Sequence, residues 1–143
     1  MEKEIDPLKL ENQICFPLYT ASRLLTQCYQ PMLKKFGITY PQYLVLLVLW
    51  EKDSVNLSYI AEKLFLQSNT LTPLLKRMEE QDLVKRVRSH TDERSIVITL
   101  TEKGREMRQE AEQIPAYMAE QLPITKEEAM QMYNTLYKMI EGL

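Results

Sequence analysis

Leu57-Ser58-Tyr59-Ile60-Ala61-Glu62-Lys63-Leu64, then Leu71-Thr72-Pro73-Leu74-Leu75-Lys76-Arg77-Met78, then Ser95-Ile96-Val97-Ile98-Thr99-Leu100 is the run on which the fold turns. In the first segment Leu57, Ile60, Ala61 and Leu64 recur at i, i+3, i+4 and i+7, one face of a helix. Leu71, Leu74, Leu75 and Met78 repeat that spacing after the polar break Gln67-Ser68-Asn69. Each segment is short and carries one apolar stripe, so neither is stable alone. Joined by a brief turn, they predict a helix-turn-helix. The period then changes. Val84-Lys85-Arg86-Val87-Arg88 and the alternating 95–100 segment are β-branched strands flanking the polar tip Ser89-His90-Thr91-Asp92-Glu93-Arg94. A hairpin directly after a helix-turn-helix is a wing.

Upstream, Tyr43-Leu44-Val45-Leu46-Leu47-Val48-Leu49-Trp50 fits a buried strand or a buried helix by periodicity alone. Thr39 with Gln42 forms a capping box, and Pro41 suits a first helical turn, so a helix is expected. Further back, Ile14, Leu18, Ala21, Leu25, Cys28, Met32 and Phe36 predict a helix from about Leu10 to Phe36, with kinks or breaks near Pro17 and Pro31 and a stop at Gly37. Downstream, Thr101 caps one long helix carrying Met107, Ala111, Ile114 and Met118 and ending near Pro123. Thr125 and Glu128 open a last helix with Ala129, Met132, Tyr133, Leu136 and Ile140. The expected architecture is mainly α with a small β-hairpin wing, a single domain over 1–143. Residues 38–104 form the winged helix-turn-helix. Segments 8–37 and 105–143 supply helices whose apolar stripes have no core of their own to cover, which predicts a homodimerisation layer.

The composition agrees. The chain has 143 residues, 45 % apolar and 27 % charged, with only 3 glycines, a globular and helix-favouring mixture. The longest apolar run, Tyr43–Trp50, is too short to span a bilayer, and Met1–Asp6 lacks a signal-peptide core, so a cytoplasmic protein with no membrane partner is expected. Two cysteines are too few for a disulfide scaffold, and both are expected as thiols at rest. No Gly-rich cluster forms a phosphate cradle, and the single His90 excludes a His-rich metal site. Neither enzymatic activity nor a cofactor is expected.

A net charge of −2 rules out a uniformly basic coat, but the charge is uneven. Residues 63–94 hold seven basic side chains against five acidic ones, and no acid occurs from Lys63 to Met78. Ser68, Asn69, Thr70 and Thr72 are short side chains able to meet base edges or phosphates in a major groove. Lys76 and Arg77 follow one turn later, and Arg86 and Arg88 lie on the first wing strand. Arg94 at the tip suits a minor groove, with Asp92 placed to orient it. Together these predict binding to double-stranded DNA, as a dimer on a palindromic operator.

The wing and its exit, Asp92-Glu93-Arg94-Ser95-Ile96-Val97-Ile98-Thr99-Leu100-Thr101-Glu102-Lys103-Gly104, and the segment Leu71–Glu79 resemble the MarR family of winged-helix regulators over nearly the whole chain. Leu10-Glu11-Asn12-Gln13-Ile14-Cys15-Phe16, with Tyr19, Tyr29 and Thr39-Tyr40-Pro41-Gln42-Tyr43, resembles the organic hydroperoxide regulators of Gram-positive bacteria, a branch that includes staphylococcal global regulators of the MgrA and SarZ type. The resemblance implies that Cys15 senses peroxide, hydrogen-bonded by Tyr29 and Tyr40 of a partner subunit, with Tyr19 in the same pocket. It implies a repressor that releases its operator and derepresses peroxide-detoxification genes. Three features depart from the pattern: Pro17, Asn69 where Gly is frequent, and Cys28, which does not match the distal resolving cysteine of two-cysteine members.

A thiolate attacks the peroxide O–O bond to give sulfenic acid, so the sensor must be ionised and reachable. With Pro17 in a first helical turn, Cys15 sits at a helix N-terminus, where dipole and free amides favour negative sulfur. Thirteen residues of regular helix separate Cys15 from Cys28 by about 20 Å, whereas a disulfide needs Cα atoms within about 7 Å. Capping of oxidised Cys15 by a low-molecular-weight thiol is therefore expected, with Cys28 a core filler. Alternatives are a regulator of this family released by a small aromatic ligand, a broader redox-responsive global regulator, a thiol peroxidase using Cys15, and a winged-helix protein-interaction module.

Overall fold

A computed structural model describes residues 4–88 and 95–143. A short 3-10 turn at Leu10–Asn12 precedes helix α1, Cys15–Phe36. The helix thus begins two residues before Pro17, which occupies its first turn, where a missing N–H removes no intrahelical bond. The predicted interruption at Pro31 does not occur. Pro31 and Gln27, whose carbonyl loses its donor, are both exposed, so the lost bond is not buried away from solvent. Gly37 ends α1 in the left-handed conformation, φ 66°, returning its N–H to the carbonyls of Leu33 and Lys34.

Helix α2, Tyr40–Glu51, starts on the predicted capping box: Thr39 Oγ1 accepts from the Gln42 N–H, and Gln42 Oε1 accepts from the Thr39 N–H. Val45, Leu46 and Leu49 are buried to 1 % or less, which makes it the central helix of the core. Helices α3, Leu57–Leu64, and α4, Ser68–Glu80, form the helix-turn-helix, and Ile60, Leu71, Leu75 and Met78 from its apolar stripes are fully buried. Burial of four such side chains is worth roughly 1.5–3 kcal/mol each, enough to hold two helices too short to persist alone.

Three antiparallel strands follow the order β1-β3-β2, with β1 Val55–Asn56, β2 Val84–Arg88 and β3 Ile96–Leu100. In the hairpin Val84 faces Leu100 and Arg88 faces Ile96. The third strand, β1, went unread because two residues cannot display alternation. Its Asn56 also caps α3 through Oδ1, which accepts from the Tyr59 N–H.

The long helix expected after Thr101 is two helices, α5 Glu102–Ala111 and α6 Gln113–Gln121. Pro115 is the cause: its ring clashes with the Ala111 carbonyl and offers it no donor, so the helix breaks at Glu112. Gly104 in α5 packs so closely that a Cβ there would collide with the Leu83 carbonyl oxygen. Helix α7, Lys126–Gly142, opens on the predicted Thr125–Glu128 capping box. None of its residues is buried, and Met130, Tyr133, Tyr137 and Ile140 stand exposed. No helix among the described residues is long and apolar enough to cross a membrane.

Candidate DNA interface and thiol groove

Helix α4 presents two faces. Leu71, Leu75 and Met78 point inward, while Ser68, Asn69, Thr70, Lys76 and Arg77 are exposed. Thr72 is half-buried, and its hydroxyl donates to the Ser68 carbonyl at 2.8 Å. Pro73 lies within the helix and frees the Asn69 carbonyl near its start. The first turn carries no acid, so its free amides and its positive dipole end face outward uncompensated.

On β2, Arg88 is exposed, but Arg86 is not free. Its backbone N–H donates to Glu79 Oε2 at 3.0 Å, and Nη2 donates to Glu79 Oε1 at 3.2 Å. These bonds from Arg86 hold the Glu79 carboxyl below the usual carboxylate range, against a smaller opposing effect of burial. Arg86 therefore ties the wing to the end of α4, an arrangement invisible to a reading that counted it only as a cation. Asp92 and Arg94 lie outside the described residues.

The base of the wing is held by a second network. Asp53 Oδ1 accepts from the Leu100 N–H at 2.9 Å and from the Ser54 N–H at 2.7 Å. Arg105 Nη1 donates to the Leu100 carbonyl at 3.0 Å and lies 3.5 Å from Asp53 Oδ2. Trp50 Nε1 donates to the Gly104 carbonyl at 2.9 Å. The strand, the central helix and α5 thereby share one junction.

Cys15 is the first residue of α1 and is exposed, so no turn of helix shields it from solvent. It lines the head of a groove of about 640 Å³ that runs along α1 past Leu18, Tyr19 and Leu25 to Tyr29 and Tyr40. Met118 of α6 and Met132, Leu136 and Ile140 of α7 close the other side. Within one chain the regular helix sets Cys15 about 21 Å from Tyr29, so these two groups meet only if a second copy supplies one of them. Tyr19 is exposed beside Cys15.

Tyr29 and Tyr40 stack at 4.8 Å between centroids, and Tyr43 joins them at 5.9 and 6.3 Å. Burial raises the pKa of all three; Tyr40 adds to the effect on Tyr29, and both neighbours add to it on Tyr43. The hydroxyls stay protonated at neutral pH and so remain donors. Tyr43, 4 % exposed, backs this pair from the core and does not line the groove itself. Cys28 is half-buried against the core and free, as the sequence reading expected.

Comparison with known proteins agrees with this geometry. A family model described as transcriptional regulator SarA/Rot matches residues 27–111. The organic hydroperoxide resistance transcriptional regulator of Bacillus subtilis is 47 % identical over 143 residues, all of this chain and 97 % of its own length. The regulator MgrA of Staphylococcus aureus is 38 % identical over 138 residues, 96 % of this chain and 94 % of its own. Among solved structures, AbfR in its reduced, DNA-bound form superimposes with a TM-score of 0.79 at 42 % identity, covering 93 % of this chain and 92 % of that one. AbfR is a protein of Staphylococcus epidermidis. Its disulfide form superimposes at 0.62 and 46 %, covering 92 % of each chain. The chain therefore belongs to the MarR/SarA-type winged-helix DNA-binding transcriptional regulators. Within that family its branch is the one that contains the organic hydroperoxide regulators.

Proposed function

We propose that this protein is a homodimeric transcriptional repressor that senses organic hydroperoxides at Cys15 and releases a palindromic operator when that thiol is oxidised. The observation that carries the reading is Cys15 at the open N-terminus of α1, in one groove with Tyr19, Tyr29 and Tyr40. The free amides at the helix end and the tyrosine hydroxyls of a second copy are the donors that would meet its sulfur. The thiolate attacks the terminal peroxide oxygen, the O–O bond breaks, and the alkoxide leaves and takes a proton from solvent to become the alcohol, so Cys15 becomes sulfenic acid. A low-molecular-weight thiol then condenses with it, giving a mixed disulfide and water. Cys15 acts once per signal, as a sensor and not as an enzyme.

The homodimer follows from the terminal helices. Ile14, Phe16 and Leu18 around the start of α1 are 41–83 % exposed, Met130, Met132, Tyr133, Tyr137, Met139 and Ile140 of α7 are exposed too, and a twin chain buries both. The same layer brings the partner's Tyr29 and Tyr40 to Cys15. It also sets the spacing of the two α4 helices, which must match half-sites about 34 Å apart.

The test is operator binding before and after a small excess of organic hydroperoxide. Wild type binds and then releases. Cys15→Ser binds and stays bound, because serine forms no sulfenate. Cys28→Ser remains fully inducible, and mass spectrometry finds a small-thiol adduct on Cys15 with no Cys15–Cys28 crosslink. Release by Cys15→Ser, or its loss in Cys28→Ser, overturns the one-cysteine mechanism.

A further inference from the structure

Gln42 is the buried side-chain amide among the described residues, 4 % exposed, and both ends of that amide are in use. Its Oε1 accepts from the Thr39 N–H at 3.1 Å, which closes the first turn of α2. Its Nε2 donates to Gln81 Oε1 at 2.8 Å, thirty-nine residues away. Gln81 Nε2 in turn donates to the Gly37 carbonyl at 2.9 Å. Gln81 is the residue that terminates α4: its N–H returns to the Arg77 carbonyl at 3.0 Å, and its own carbonyl accepts from Lys103 Nζ at 3.0 Å. Two side-chain amides thus join the end of α1, the start of α2 and the end of the DNA-facing helix.

The position of this chain of bonds matters because of what α1 and α2 carry. Tyr29 lies in the last two turns of α1, and Tyr40 is the first residue of α2, set between Thr39 and Gln42. The two rings touch at 4.8 Å. Any displacement of Tyr40 therefore turns the segment that holds Gln42. The amide has little freedom to stay behind, since turning it over would set oxygen against oxygen and N–H against N–H. Abandoning a partner would leave a buried polar group unsatisfied. The bonds move together or break together, the behaviour required of an element with two discrete arrangements.

We propose that Gln42 and Gln81 are positioning residues that carry the oxidation signal from the tyrosine cluster to the C-terminal end of α4. The proposal rests on the redox reading above. It assigns the coupling to one polar path and leaves the apolar core between the two sites as scaffold.

The experiment compares wild type, Gln81→Met and Gln81→Glu. Operator affinity is measured by fluorescence anisotropy before and after organic hydroperoxide, with mass spectrometry of Cys15 on the same samples. Gln81→Met removes both bonds at similar volume; Gln81→Glu keeps the acceptor for Gln42 and loses the donor to Gly37. The expected result is full oxidation of Cys15 and reduced-state affinity within about threefold of wild type. The ratio of oxidised to reduced Kd falls by about tenfold, the range over which intervening residues modulate coupling. An unchanged ratio in both variants overturns the proposal, and so does weaker reduced binding with an unchanged ratio, which is what a merely structural role predicts. Wild type that stays bound after Cys15 is oxidised defeats the redox reading itself, and the relay with it. Hydrogen exchange of wild type supplies a measurement free of substitutions: amide protection in 39–43 and 77–83 must change together on oxidation, and a change in only one segment refutes the relay.

Discussion

Replacing Glu79 tests whether the wing is tied to the DNA-facing helix or merely lies beside it. Glu79 accepts two hydrogen bonds from Arg86, one from the backbone at 3.0 Å and one from the guanidinium at 3.2 Å, and the two side chains are 39 % and 22 % exposed. At that exposure solvent screens the ionic part, so Glu79→Gln, which keeps an acceptor, is expected to lower stability by only about 0.5–1 kcal/mol. Glu79→Ala removes both acceptors and strands a half-buried guanidinium whose Nε has no partner among the described residues, a loss of about 1–2 kcal/mol. For a domain of this size each kcal/mol lowers Tm by about 3–5 °C. The pH dependence has a definite sign. Because the folded carboxyl sits below its ordinary range, the pair stabilises fully at pH 6–7 and loses that stabilisation as pH falls through the lowered folded value. The Tm gap between wild type and Glu79→Gln, followed by calorimetry from pH 7 to pH 3, should therefore close on acidification. A gap that is constant or widens below pH 4 refutes the assignment of the contact to ionised Glu79.

Three other expectations follow from the site and its supports. Tyr29→Phe and Tyr40→Phe should each slow alkylation of Cys15 at neutral pH by about three- to tenfold while reduced operator binding stays within about twofold, and unchanged alkylation in both would remove these hydroxyls from the sensor. Lys76→Gln and Arg77→Gln should each flatten the plot of log K against log salt by about one unit, measured by anisotropy; an unaltered slope would place them off the phosphates. Gly104→Ala should lower stability by about 1–3 kcal/mol in thermal unfolding, because its Cβ meets the Leu83 carbonyl and the Leu100 side chain; a neutral effect would mean that α5 can slide off the wing freely.

What the sequence displays plainly here is local. The stripes at Leu57–Leu64 and Leu71–Met78, the capping boxes at Thr39 and Thr125, and the alternation at Ser95–Leu100 each rest on neighbours within one turn or one strand, and all appear in the structure. Features made by distant residues are the ones it hides. Strand β1 is visible only as the partner of Ile98 and Val97. Arg86 looks like one more surface cation until Glu79, seven residues back and in another element, is seen to hold it. The break before α6 was local and readable, since Pro115 stands three residues past it; the apolar spacing of Met107, Ala111, Ile114 and Met118 continues smoothly across the bend and masked it. Gln42 was read correctly as a cap, but its second bond to Gln81 crosses thirty-nine residues and has no sequence signature.

The two thiols stand in different surroundings on one helix, which is what the proposed division between sensing and packing requires. Cys15 and Cys28 lie on the same unbroken α1, yet only Cys15 occupies the turn where backbone amides are free and the side chain meets solvent. Cys28 lies four turns on, half-buried against the core, where the backbone amides are engaged within the helix. The same rigidity that holds the thiols about 20 Å apart also keeps Cys15 away from Tyr29 of its own chain. The sensor proposed above is therefore incomplete in one protomer and complete in two. In the proposed mechanism, oxidation acts on the contact between copies before it acts on either DNA-binding unit, and the spacing of the two α4 helices is the quantity that such a contact controls.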